Sequence, residues 1–309
     1  MKSVKTVLCA VGLGLLVMIL GCSAALAQDG RSFVSGSGSD SNAVCALATP
    51  CRTFTHALAQ TNSGGEVIVL DSAGYGPFSI SQPVSIIAAP GIYAGITVTS
   101  GDGIDVSASG TVILRGLTIE NAGSTGNGIV NTGVGISVLH IENCVVNGFN
   151  GANGSTGISD LKGVLELKDS TIRGNTKGVL VVGPGIASID HVRLEGNVEG
   201  LIAQDQAQVN IRNSLAADNT NGLESLCTGA TNAELNIENC IASGNDFGIY
   251  CIGESTGTAF IRVSDSTVTN NLQGLVQFGA AVLYSRVNNT VQNNRTHNTS
   301  GTITPFSAM

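Results

Sequence analysis

The stretch LHIENC at residues 139–144 returns almost unchanged as LNIENC at residues 235–240. Weaker copies lie between and beyond these two, and each places one polar residue directly after an alternating strand: Asn143, Asp169, His191, Asn213, Asn239 and Asp265. These equivalent positions are separated by 26, 22, 22, 26 and 26 residues. A repeat of roughly 20 to 50 residues predicts a solenoid, in which each unit buries its apolar face by stacking on the next.

Each repeat contains a β-strand rather than a helix. Apolar and polar residues alternate, as at Leu165 and Leu167 or Val209 and Ile211, and this is the period of a half-buried strand. A leucine-rich horseshoe has repeats of similar length, but its L-x-x-L-x-L core is missing here and no unit holds a helix-length periodic segment. The sequence therefore predicts an all-β fold, a parallel β-helix with coils of about 22–27 residues.

Glycine and asparagine mark a second turn in each repeat. Both residue types tolerate left-handed backbone angles, so they suit the corners of a coil. One asparagine of this turn recurs in every repeat, followed three residues later by a glycine. Stacked coils would place these side chains in one column, where their amides can hydrogen-bond along it: Asn175, Asn197, Asn219, Asn245 and Asn271.

The repeats also carry a family resemblance. Residues 64–294 resemble the right-handed parallel β-helix repeats of the pectate-lyase-like superfamily, and PCRTF at 50–54 with GGEVIVL at 64–70 resembles the start of its exported bacterial members. The resemblance implies a right-handed β-helix, and this fold hosts lyases, hydrolases, adhesins and binding proteins alike. We expect residues 28–63 to form an N-terminal cap with a short helix, and 295–309 to form a loose C-terminal tail.

The N-terminus has the features of a secretory signal. Lys2 and Lys5 precede an apolar stretch at 7–20, and the small residues at 25–27 predict cleavage after Ala27. The alternative is a lipoprotein cut before Cys22. Either way we expect a secreted, periplasmic or cell-surface protein, and no later apolar run is long enough to predict a transmembrane helix in the mature chain.

Composition and charge exclude several classes of protein. With 42% hydrophobic and 12% charged residues, the chain does not match intrinsic disorder. Its formal net charge of -8 argues against a nucleic-acid partner, because phosphate binding needs clustered Lys and Arg.

Six cysteines remain beyond the signal sequence. Cys45 and Cys51 are close in sequence, with Pro50 tightening the loop between them, and predict a disulfide. A metal site that adds His56 to these two thiols is the competing interpretation. Cys227 and Cys251 lie in adjacent coils and are a possible second disulfide, whereas Cys144 and Cys240 lie four coils apart and are expected to be buried free thiols.

No catalytic set is recognised. The pectinolytic motifs of the superfamily are absent, and Ile189-Asp190-His191 is similar to a motif of some pectate lyases but places His191 at an ordinary turn. One face of this fold most often carries the catalytic residues. On that face the alternation predicts a row of outward residues that is largely apolar: Val130, Ser159, Leu180, Ile202, Glu224, Tyr250 and Val276. The nearest acids are the weak catalytic candidates Asp160, Asp205 and Glu224. A Ca²⁺ site from these acids is conceivable, and no other cofactor is predicted.

Two functions fit these observations. We favour an exported binding or structural module that presents a flat, partly apolar face to a protein or glycan partner. The alternative is a carbohydrate-active enzyme, a polysaccharide lyase or glycoside hydrolase, with an unconventional site. Aromatic residues such as Phe247 and Phe260 are expected to fill the core rather than to bind sugars.

Overall fold

The structure is a computed structural model that describes residues 29–133, 137–151, 154–254 and 256–307. The predicted signal sequence 1–27, with the alternative lipid-attachment residue Cys22, lies outside the described residues. Successive coils each add one strand to three parallel sheets, so the predicted β-solenoid is confirmed. No helix in the described ranges is both long enough and apolar enough to cross a membrane.

The three sheets run the length of the solenoid. Sheet 1 contains β1 (Asp29–Val34), β2 (Thr61–Val69), β5 (Val84–Ala88), β8 (Gly110–Arg115), β11 (Ser137–Glu142), β14 (Val164–Lys168), β17 (Ile186–Asp190), β20 (Gln208–Arg212), β23 (Ala233–Glu238), β26 (Ala259–Ser264), β29 (Ala281–Arg286) and β32 (Ile303–Phe306). Sheet 2 contains β4 (Phe78–Ile80), β7 (Ile104–Val106), β10 (Ile129–Asn131), β13 (Thr156–Asp160), β16 (Lys177–Val182), β19 (Glu199–Gln204), β22 (Asn221–Cys227), β25 (Phe247–Gly253), β28 (Gln273–Gly279) and β31 (His297–Ser300). Sheet 3 contains β3 (Ala73–Gly74), β6 (Ala94–Val98), β9 (Leu117–Asn121), β12 (Val145–Asn147), β15 (Thr171–Arg173), β18 (Arg193–Glu195), β21 (Leu215–Ala217), β24 (Ile241–Ser243), β27 (Thr267–Thr269) and β30 (Thr290–Gln292).

A single residue turns the chain from sheet 1 into sheet 3. In six consecutive coils this residue has φ between 49° and 54°, the left-handed region that side chains other than Asn and Asp rarely adopt. These turn residues are the polar residues that directly follow the alternating strands of the repeat: Asn143, Asp169, His191, Asn213, Asn239 and Asp265. His191 occupies the turn as expected, and its Nδ1 lies 2.8 Å from Oδ1 of Asp190.

An asparagine column follows the turn from sheet 3 into sheet 2. Nδ2 of Asn197 donates to Oδ1 of Asn219 at 3.1 Å, and the backbone N–H of Asn197 donates to the same oxygen at 2.9 Å. The same pattern joins each asparagine to the next, and it extends beyond the five expected residues to Asn294. Because every member is satisfied inside the coil, the column can be buried without the cost of unpaired amides.

The core lies between the sheets and consists of rows of stacked aliphatic side chains. In sheet 1, Leu235 and Ile237 point inward and pair in register with Ile261 and Val263 of the next coil. The intervening Glu234 and Asn236 point outward, as strand alternation requires. The inward rows of sheet 1 are therefore built by the alternation that the sequence shows.

The N-terminal segment, predicted to be a cap over residues 28–63, contains a short helix and also β1, which pairs with β2 and already belongs to sheet 1. Helix α1 (Phe54–Gln60) begins after Thr53, whose hydroxyl accepts a hydrogen bond from the His56 N–H, and it buries Phe54 and Leu58 on the first coil. The disulfide between Cys45 and Cys51 is confirmed. The competing metal site would need both thiols free, and each sulfur is used in this bond.

The remaining cysteines of the described chain are unpaired. Cys144 and Cys240 are buried and free, as expected from their separation. The possible bond between Cys227 and Cys251 is not formed, because Cys251 pairs with Ser225 in register and Cys227 with Gly253. This two-residue offset separates the two Cα atoms by about 8 Å, too far for a disulfide.

The C-terminal boundary also differs from the expectation. Residues 295–309 were predicted to be a loose tail, yet strands β31 and β32 lie within this range. They pair with β28 and β29 and continue sheets 2 and 1. Their sequence lacks a long apolar alternation because an end coil is covered on one side only, and backbone hydrogen bonds to the previous coil hold it.

Candidate functional site

The outward row predicted from the sequence lies on sheet 2. Its members pair with one another in register from β10 to β28, so the row is continuous. Several of its side chains are nevertheless packed closely, with Ile202 only 1% and Val130 only 8% exposed. The row is therefore apolar, as expected, but it offers little open surface for a partner.

Glu224 is the one acid of this row. Its side chain is 4% exposed, and Nδ2 of Asn221 donates to its Oε2 at 2.8 Å. Burial raises the pKa of Glu224 to about 7, and the nearby carboxylates of Glu199 and Glu254 act in the same direction. A carboxyl group with this pKa can give or take a proton near neutral pH, which is what general acid–base catalysis requires.

The charge of a lysine on sheet 2 also acts on Glu224. Lys177 pairs in register with Glu199, one row away from the outward row, and its charge lowers the pKa of both Glu199 and Glu224. One carboxylate oxygen of Glu199 is buried without a hydrogen-bond partner. The outward row itself holds no basic residue, and this lysine belongs to the neighbouring row.

The three acids proposed as catalytic candidates do not come together. Asp205 lies in the loop after β19, where it accepts hydrogen bonds from the backbone of Thr228 and Gly229 and so closes the loop of the next coil. Asp160 follows the outward Ser159 on β13, so alternation turns it inward. It is fully buried and so does not lie on the outward face with Glu224.

Asp160 instead belongs to a polar pair inside the solenoid. Nδ2 of Asn131 donates to its Oδ1 at 2.6 Å, and its Oδ2 has no partner among the described residues. Burial raises the pKa of Asp160 to about 6 from the ordinary 3.8. The folded protein thus favours the protonated form of this side chain.

This raised pKa predicts a pH dependence of stability. The folded protein holds the proton of Asp160 more tightly than the unfolded chain, so its contribution is fully present below pH 3.8 and is lost as the pH rises through about 6. We expect the free energy of unfolding of the wild type, measured relative to Asp160→Asn by urea denaturation, to fall by about 2–3 kcal/mol between pH 4 and pH 7.5. A difference that stays constant over this range would contradict the assignment.

A second, more open surface lies on the outer face of sheet 1. Strands β17 to β32 line a groove of about 470 Å³, which we call the sheet 1 groove. The side chains that give it its chemistry are amides, guanidinium groups and one aromatic ring: Asn210, Arg212, Asn236, Arg262, Arg286 and Phe306. None of them was proposed as a site residue from the sequence.

Hydrogen bonds between coils hold the amides of the groove. Nδ2 of Asn236 donates to Oδ1 of Asn210 at 3.0 Å, and Nη1 of Arg262 donates to Oδ1 of Asn236 at 3.4 Å. Arg262 also pairs with Glu234 at 3.2 Å, and Arg212 pairs with Asp190 at 3.2 Å. The groove is therefore polar, with its charges largely balanced by neighbours.

Aromatic rings stand between the arginines at the C-terminal end of the groove. The guanidinium of Arg262 lies 5.9 Å from the ring centroids of both Phe260 and Tyr284, and that of Arg286 lies 5.3 Å from the centroid of Phe306. These contacts fix the guanidinium planes by cation–π attraction. Two arginines of this face are thus each paired in register with an aromatic residue of the next coil, Arg262 with Tyr284 and Arg286 with Phe306.

The expectation that Phe247 and Phe260 fill the core is wrong. Both side chains point outward and are partly exposed, and Phe247 stacks on Tyr250 at 4.9 Å. The signal was available, because Phe260 directly precedes the inward Ile261 and alternation sends neighbours to opposite faces. The same rule, applied to sheet 1, would have found Arg212, Arg262 and Arg286.

Comparisons with known proteins concern the fold. The family model described as a right handed beta helix region matches residues 102–262. The structure is similar to that of pectate lyase Pel9A, with a TM-score of 0.54, 15% identity, and coverage of 90% of this chain and 78% of that one. No curated protein sequence matches.

Two further solved structures are similar at lower scores. A rhamnogalacturonan lyase has a TM-score of 0.46, 13% identity, and coverage of 85% of this chain and 75% of that one. The GH136 lacto-N-biosidase from Eubacterium ramulus has a TM-score of 0.39, 10% identity, and coverage of 90% and 68%. At such sequence identities, structural similarity indicates a shared fold. The chemistry of each protein depends on its own residues.

Proposed function

This chain belongs to the right-handed β-helix family, and we propose that it is an exported binding module that holds an extended glycan along the sheet 1 groove. The observation that carries the proposal is the lining of this groove by interlocked amides, guanidinium groups and an aromatic ring. Because this fold hosts many activities, the function is inferred from the residues of the site.

The chemistry of the groove suits sugars. Amide and guanidinium groups on successive coils, about 4.8 Å apart, repeat donors and acceptors along the solenoid axis, as the hydroxyls of a glycan repeat along its chain. Phe306 and Tyr284, whose rings stack with the guanidinium groups of Arg286 and Arg262, add apolar surface beside these polar groups. Because hydrogen bonds between Asn210, Asn236 and Arg262 already fix their side chains, little entropy is lost when a ligand binds.

Export is part of the same proposal. A disulfide at Cys45 and Cys51 is the kind of bond that persists in oxidising compartments, and this supports the predicted signal sequence. N-terminal sequencing of the protein purified from the producing cells should find Gln28 as the first residue. If the mature protein instead began with a lipid-modified Cys22, the protein would be anchored to a membrane and not secreted.

Binding to a glycan array, followed by calorimetry with the best ligand, tests the proposal. We expect Asn236→Ala to weaken binding about tenfold, because this amide joins Asn210 to Arg262 and faces the groove. Asn147→Ala is the matched control, since Asn147 points outward from sheet 3, away from the groove. Equal affinities of the two variants, or no glycan binding by the wild type, would contradict the proposal.

The alternative function, a carbohydrate-active enzyme, is favoured by one observation. Glu224, with its pKa raised to about 7, lies near Glu199 and Lys177 on sheet 2. Incubation of the purified protein with acidic and neutral polysaccharides, with detection of new reducing ends and of unsaturated products, decides between the two. Depolymerisation that is lost in Glu224→Gln but kept in Asn147→Ala would replace the binding module with an enzyme.

A further inference from the structure

The three arginines of the sheet 1 groove differ in their partners. Arg212 and Arg262 each pair with a carboxylate of the same sheet. Arg286 has no carboxylate within salt-bridge distance among the described residues, and its Nε is buried without any hydrogen-bond partner. Arg286 lines the groove, and without a carboxylate partner its guanidinium keeps N–H donors free for an acceptor on a ligand.

Stacking holds Arg286 in a fixed orientation. Arg286 on β29 pairs in register with Phe306 on β32, and its guanidinium lies 5.3 Å from the centre of that ring. Tyr284 contacts Phe306 edge-on at 6.1 Å and supports the ring from the side. The face of the guanidinium is thereby occupied by the ring, and its N–H groups remain available for an acceptor.

We propose that Arg286 binds a single carboxylate of the glycan, carried by one acidic sugar at the C-terminal end of the groove. The inference rests on the proposed function and adds the class of sugar. A planar carboxylate accepts two parallel hydrogen bonds from a guanidinium, and it would neutralise the charge of Arg286.

The surroundings restrict the ligand to one carboxylate. The other two arginines are already paired, and Glu238 lines the same groove two coils away, about 10 Å along the axis. The net charge of -8 also repels a polyanionic chain. A sugar chain with a carboxylate on every unit therefore fits this groove less well than a chain with one.

Three probes test the inference: a neutral tetrasaccharide, the same tetrasaccharide ending in glucuronic acid, and a polyglucuronate of the same length. With 50 mM salt, we expect the wild type to prefer the singly acidic probe over each of the others by about tenfold. Arg286→Gln should bind the neutral and the singly acidic probe equally. Arg193→Gln, which changes an exposed arginine of sheet 3, should keep the preference.

The outcomes separate the two proposals. Equal binding of the neutral and the singly acidic probe by the wild type overturns the role of Arg286 and leaves glycan binding intact. Tightest binding of the polyglucuronate overturns the restriction to one carboxylate. If no probe and no array glycan binds, the proposed function fails, and the inference fails with it. A preference that survives in Arg286→Gln assigns the carboxylate to another residue and also overturns the inference.

Discussion

Replacing Ile237 with alanine is expected to lower the free energy of unfolding by about 2–5 kcal/mol. Ile237 is 1% exposed and lies in an inward row between Ile211 and Val263, its partners in the adjacent coils. Truncation removes buried methylenes and leaves a cavity that stacked backbones cannot close, because each coil is held by hydrogen bonds on both sides. Urea denaturation followed by circular dichroism measures the loss.

The neighbouring residue provides the control. Glu238 points outward from the same strand, and Glu238→Ala should cost about 0.5 kcal/mol or less. The ratio of the two effects tests the register directly, since a shift by one residue would exchange inward and outward positions. Losses of equal size in the two variants would mean that this strand is out of register.

The second large effect is expected in the asparagine column, at Asn219. Its Oδ1 accepts the backbone N–H of Asn197 at 2.9 Å, and its Nδ2 donates to the carbonyl oxygen of Leu194 at 3.0 Å and to Oδ1 of Asn245 at 2.9 Å. Asn219→Ala removes these contacts in a site that water does not reach, and each buried group left unpaired costs about 1–3 kcal/mol. We expect a total loss of about 2–5 kcal/mol in the same denaturation experiment.

Asn210→Ala is the matched control for this substitution. Asn210 is an exposed asparagine on β20, and its Oδ1 accepts one hydrogen bond from Asn236. Because water can replace that bond, its loss should cost less than about 1 kcal/mol. If Asn219→Ala lowered the free energy of unfolding no more than Asn210→Ala does, the column would be a consequence of the stacking of the coils and would not stabilise it.

The repeat explains why so much of the fold could be predicted. One left-handed turn residue and one alternating strand recur in every coil, and both leave a local signature, such as Asn143 followed by Cys144 and Asn239 followed by Cys240. Alternation then identifies Ile237 as inward and Glu238 as outward without reference to distant residues. Two predictions failed where the repeat is interrupted, at Cys227 and in β31 and β32. The prediction for Phe260 failed inside a regular strand, because the alternation was not applied to it.

The candidate site was predicted less well, for a different reason. Sequence reasoning followed one outward row of sheet 2 and found Glu224, but the lysine that acts on it, Lys177, belongs to the neighbouring row, two coils away. Arg286 and Phe306 are 20 residues apart in sequence and are brought together by register alone. No fixed spacing in the sequence predicts such a pair, because the coil length varies from one repeat to the next.

The sequence by itself determined the solenoid, its inward rows and the left-handed turns, because these depend on interactions within one coil or between identical positions of adjacent coils. Only the tertiary structure decided that Cys251 pairs with Ser225, that Asp160 is buried with one unpartnered oxygen, and that the groove lies on sheet 1. The physical reason is register: lateral contacts between outward side chains depend on the length of every intervening loop, and no single repeat encodes that length.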